Sequence, residues 1–117
     1  MRPVSEILAD ALASLEDGKR WLQGQWYSDH KYDPEHAQKF CSLGAIKRSM
    51  IMAGEFERNG RVAHTVKFRR VSSALAPTRK GIATLNDSAK SFDEVRQMFC
   101  AGIKKALEEE NLSHEGN

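Results

Sequence analysis

The chain has 117 residues, 40% hydrophobic and 29% charged, with 18 Lys and Arg against 16 Asp and Glu. That length suits one domain with a single modest core, and that composition excludes wholesale disorder. A net charge of +2 is too small to demand a polyanionic partner, and no apolar run reaches the roughly 18 residues of a membrane span.

Glu6 and Asp10 interrupt the first apolar stretch. A secretory leader is therefore not expected, and neither is a membrane role; a cytoplasmic location is. Cys41 and Cys100 lie far apart, each within an apolar stripe, and are expected as two buried free thiols.

Residues 3–16 read as an amphipathic helix. Val4, Ile7, Leu8, Ala11, Leu12 and Leu15 recur at helical steps, and Pro3 suits a first-turn position where its missing N–H costs nothing. Asp17-Gly18 supplies a left-handed stop. Lys19 to Tyr27 is short and aromatic, a turn or brief strand-like segment whose tryptophans fold back onto the bundle. Asp33-Pro34-Glu35 then looks like a helix start, with Asp33 as cap and Glu35 near the positive end of the dipole. A helix over 34–53 follows. Its second half, Phe40 to Gly54, is the most continuously apolar part of the chain and is expected to be the central helix. Gly44 and Ala45 would admit another helix backbone, Lys47 and Arg48 would reach solvent, and Gly54 would cap the end.

Glu55 to Leu75 carries two signals. Asn59-Gly60 between Phe56 and Val62 suits a short hairpin near 55–68. Val62, Val66, Phe68, Val71 and Leu75 also fit one broad helical face, and a helix over 61–75 is the reading adopted. Pro77 ends it, and Thr78 to Lys90 reads as a connector. Ser91-Phe92-Asp93-Glu94 has capping-box spacing, opening a helix over 91–109 with Phe92, Val95, Phe99, Ile103, Ala106 and Leu107 on one stripe. Glu108 to Glu110 oppose the dipole at its end, so a disordered tail over 111–117 is expected. The fold class is all-α, a single domain over 1–110 built as a bundle of about four helices.

Four pieces of this layout form a pattern: Trp21-x-Gln23-Gly24, Phe40-Cys41-x-Leu43-Gly44-Ala45-Ile46, Ile82 to Asn86-Asp87, and Ser91-x-x-Glu94-Val95. It resembles a family of small bacterial and phage-associated domains of unknown function with Trp-x-Gln-Gly, Cys-x-Leu-Gly-Ala and Trp-Asn-Asp motifs. The likeness spans roughly residues 5 to 107, with Leu85 standing where the family usually has tryptophan. It implies a mostly helical single domain and assigns no activity.

Trp21, Gln23, Asn86 and Asp87 are candidates to line a ligand pocket, with Asp87 as general base or hydrogen-bond acceptor. The plainer reading makes Asn86-Asp87 a structural turn, since Asn tolerates positive φ and Asp bonds nearby N–H groups. The aromatic cluster is then the edge of the core. From Arg58 to Lys80 the chain is basic with no acid. Arg61, Lys67, Arg69 and Arg70 are its candidates for phosphate contact, against a solvated basic face. His30, Asp33, His36 and Cys41 lack the paired spacing of a zinc site, so neither metal nor cofactor is expected. Cys41, between Phe40 and Leu43, reads as a small core residue rather than a nucleophile. No catalytic motif stands out. The leading expectation is an accessory or regulatory protein, not an enzyme, acting through a protein partner. A nucleic-acid binder using the basic segment and a small-molecule-binding or enzymatic domain are the alternatives.

Overall fold

The computed structural model describes residues 2–28, 37–55, 66–76 and 81–115. Among these the chain forms five α-helices: α1 (Val4–Ser14), α2 (Ser42–Met52), α3 (Val66–Leu75), α4 (Ile82–Ser88) and α5 (Phe92–Glu115). Strand-like pairing is limited, among the described residues, to isolated bridges from Phe40 to Trp21 and Tyr27. The all-α expectation holds, with one helix more than expected.

α1 is the hub, packing on α5, α2 and α3. Its period puts Ser5, Ile7, Leu8 and Ala11 on the buried face, followed by Leu15. Each fully buried Ile or Leu contributes roughly 1.5–3 kcal/mol. Pro3 stands one position before the helix, where its carbonyl accepts from the Glu6 and Ile7 N–H groups. The helix stops in a left-handed turn, with φ of 47° at Glu16, 54° at Asp17 and 94° at Gly18. Two non-glycine residues there cost roughly 1–2 kcal/mol each. Gly18 is doubly constrained, because an added Cβ would also lie 3.0 Å from the Phe92 ring.

The stretch 40–54 is therefore not the centre, and α2 begins well after residue 34. Residues 29–36, with the Asp33-Pro34-Glu35 signal, lie outside the described residues. At Phe40 extended pairing wins over helical period: its N–H donates to Arg20 O at 2.7 Å and its carbonyl accepts from Leu22 N at 2.9 Å. Cys41, also extended, is the N-cap, its Sγ accepting from Gly44 N at 3.3 Å. At the other end Gly54, with φ 75°, closes the helix as expected. Gly54 N donates to Ile51 O and Glu55 N to Met50 O, the two bonds of a Schellman cap.

Gly44 admits a close approach, but from a carbonyl rather than a helix: an added Cβ would lie 2.4 Å from Trp26 O. Lys47 does not reach solvent. It is 4% exposed, with its ammonium 3.4 Å from the centroid of the Trp26 ring. Arg48 is half-buried, its guanidinium 5.5 Å from the Phe40 centroid, while Arg20 approaches the same ring to 4.9 Å.

The expected hairpin and the start of the third helix fall mainly on 56–65, outside the described residues; Val66 to Phe68 are helical. α3 buries Phe68, Val71, Ala74 and Leu75 and packs on α5. The expected connector 78–90 contains α4. That helix is seven residues long and has no side-chain cap at its N-terminus, so it leaves little local signal.

α5 has half of the expected capping box. Glu94 reaches back, but to Lys90 N at 2.9 Å, while its own N–H donates to the Ser91 carbonyl at 3.3 Å. Helix runs on to Glu115 through the stretch assigned to a disordered tail. Just before this stretch the Glu110 carboxylate accepts from Ser5 N at 3.1 Å and Ser5 Oγ at 2.8 Å, tying α5 to the start of α1. Val95, Phe99 and Ala106 are buried, whereas Leu107 is largely exposed. Both cysteines are free; Cys41 is buried and Cys100, against expectation, is exposed because it falls off the buried stripe. No helix among the described residues is long and apolar enough to cross a membrane.

Candidate functional site

The four pocket candidates meet, although α4 and the 21–24 segment lie far apart in sequence. Asn86 is 0% exposed and sits where α4, α2 and the aromatic segment join. Its Oδ1 accepts from Trp21 Nε1 at 2.7 Å, Ser42 N at 2.9 Å and Ser42 Oγ at 2.7 Å. Its Nδ2 donates to Leu22 O at 2.9 Å and to Asp87 Oδ1 at 3.2 Å. The amide orientation is forced, because an indole N–H and a backbone N–H can only donate.

Gln23 completes the junction from outside. The two N–H groups of its Nε2 are shared among the carbonyls of Asn86 at 2.9 Å, Asp87 at 3.2 Å and Ala89 at 3.0 Å. Those are carbonyls at the C-terminal end of α4, whose acceptors have no partner within the helix. Asp87 Oδ1 in turn accepts from Gly24 N at 2.9 Å. The Trp-x-Gln-Gly element and the Asn-Asp pair are thus two halves of one lock. Ser42, which sequence reading did not single out, is its third member; its place directly after Cys41 in the Cys-x-Leu-Gly-Ala element was the available signal. Asn86 and Asp87 lie on a helix rather than in a turn, and neither has positive φ.

The aromatic segment is held from its other end as well. Cys41 N donates to Trp26 O at 3.1 Å, and Tyr27 meets Phe40 edge to face with centroids 6.2 Å apart. Trp21 packs on Phe92 at 5.7 Å. Burial pushes the Cys41 thiol above its ordinary range, opposed in part by the N–H of Gly44. Tyr27 is likewise raised by burial, and Lys47 is lowered by burial. A buried thiol pushed up in this way is the opposite of an activated nucleophile.

Beside the lock, a cavity of about 190 Å³ opens between α4 and α5, lined by Leu85, Ser88, Ala89, Glu94, Val95 and Met98. Trp21, Gln23, Asn86 and Asp87 are not among its lining residues.

The basic candidates separate. Lys67 is engaged: its Nζ lies 2.6 Å from Glu55 Oε1 and also donates to the Arg2 carbonyl. Arg69 and Arg70 are exposed on α3, and Arg61 lies outside the described residues. So do His30, Asp33 and His36; no group of three metal-ligating side chains comes together among the described residues.

No curated protein and no solved structure matches this chain. Residues 1–105 match a family of unknown function, DUF6197, and the chain belongs to that family.

Proposed function

We propose that this chain is a non-enzymatic accessory or regulatory domain, cytoplasmic and of bacterial or phage origin, that acts by binding a protein partner. One observation carries the reading. Trp21, Gln23, Asn86 and Asp87 place hydrogen bonds on one another and on Ser42, Leu22 and Gly24. Such mutual engagement supports a rigid scaffold rather than a reactive pocket. Recognition is then left to the exterior, where Leu107 and Leu112 are exposed apolar side chains.

The experiment is capture of partners by the tagged chain from its host cell, with and without nuclease, at two salt concentrations. A protein that stays bound after nuclease and at the higher salt supports the proposal. Recovery of nucleic acid that is lost with salt, and abolished by Arg69→Ala with Arg70→Ala, would replace it with binding through the exposed face of α3.

A further inference from the structure

We infer that the cavity between α4 and α5 is the socket for a partner segment that presents one aliphatic side chain beside a basic residue. This rests on the protein-partner reading and names where that partner docks. Two features select the occupant. The first is size. At about 190 Å³ the cavity is smaller than the roughly 300–1,000 Å³ of drug-sized ligand sites. It is nonetheless larger than the ~150 Å³ cavity that takes up benzene, and so suits a single Leu- or Ile-sized group. Its walls are apolar, from Leu85, Ala89, Val95 and Met98.

The second feature is charge. Glu94 lines the cavity and is exposed. One of its oxygens accepts from Lys90 N at 2.9 Å, which holds the carboxylate at the N-terminal turn of α5. The other has no partner among the described residues. Ser88, also exposed, adds a hydroxyl to the lining. An aliphatic knob seated among Leu85, Val95 and Met98 would bring a neighbouring Lys or Arg of the same segment against Glu94. Buried apolar anchors flanked by rim charges are how small interfaces gain both affinity and selectivity.

The test uses the full chain labelled at its methionine methyl groups. The probes are a short acetylated and amidated peptide carrying one leucine flanked by lysines, and its twin with glutamates in place of the lysines. Met98 lines the cavity, Met50 is buried, and Met52 is exposed on α2 as a control for non-specific contact. The lysine peptide is expected to shift the Met98 methyl while leaving Met52 in place, and the glutamate twin to bind more weakly. Glu94→Gln keeps the acceptor for Lys90 N and removes the charge. It should weaken the lysine peptide about two- to fivefold, the size of a rim ion pair. Ser88→Leu, at an exposed position, should fill the mouth and abolish the Met98 shift. Equal binding of the two peptides, an unmoved Met98, or a Met52 shift as large as that of Met98 would overturn the inference. The two proposals fail separately. If a captured cellular partner stays bound to Ser88→Leu, the socket is wrong and the partner reading survives; if no protein partner is captured by the unaltered chain, the partner reading itself fails.

Discussion

The indole Nε1 of Trp21 lies 2.7 Å from Asn86 Oδ1 across 65 residues of sequence, and it is one of three donors converging on that oxygen. Because the site is buried, each donor would be left unsatisfied if the oxygen were removed, at about 1–3 kcal/mol apiece. Asn86→Ala is therefore expected to destabilise the chain by about 3 kcal/mol or more, measured by denaturant unfolding. Gln23→Ala, at an exposed position that caps α4, should cost only about 1 kcal/mol.

Gly44 sits where Trp26 O leaves no room for a Cβ. Gly44→Ala must push the aromatic segment off α2, at about 1–3 kcal/mol. The shift would be read as a change in tryptophan emission in the folded state together with a lower unfolding midpoint.

Lys67 and Glu55 form a largely buried pair, with 18% and 6% of their side chains exposed. Removing the lysine leaves a carboxylate already short of partners at Oε2. Lys67→Ala is expected to cost about 3 kcal/mol. Arg69→Ala and Arg70→Ala, on the exposed face of the same helix, should each stay within about 0.5 kcal/mol. Equal costs at the three positions would show that Lys67 is not part of the core.

Burial raises the Cys41 thiol, and that makes stability fall at alkaline pH. Below about pH 8.5, the usual thiol value, the thiol is neutral in both folded and unfolded chains and its contribution is intact. Above it the unfolded chain ionises first, and stability is lost at up to about 1.4 kcal/mol per pH unit until the folded thiol ionises too. Cys41→Ser keeps an acceptor for Gly44 N and should flatten the thiol's part of that slope above about pH 8.5.

How much of this was legible in the sequence depended on whether the signal was local. α1 and α5 carry long stripes with clear starts, and the Gly54 cap needs only a glycine in place. α4 was missed because its seven residues are held by Trp21, Gln23 and Ser42 rather than by caps or period of its own. The start of α2 was misread because Phe40 is apolar whether it continues a helix or pairs as extended chain. Lys47 was placed in solvent because nothing local reveals that Trp26 covers it. The meeting of Trp21, Gln23, Asn86 and Asp87 was anticipated as a condition for a pocket. That their bonds would be consumed by one another follows only from three-dimensional geometry.

The central claim is that the Trp-x-Gln-Gly and Asn-Asp elements act as one lock, and a double-mutant cycle tests it most directly. Trp21→Phe would be measured by equilibrium unfolding alone and in the Asn86→Ala background. With the lock present, losing the indole donor is expected to cost about 1 kcal/mol; with Asn86 already gone, close to nothing, a coupling of about 1 kcal/mol. The same cost in both backgrounds would mean that the two residues do not act together, and the lock would have to be abandoned.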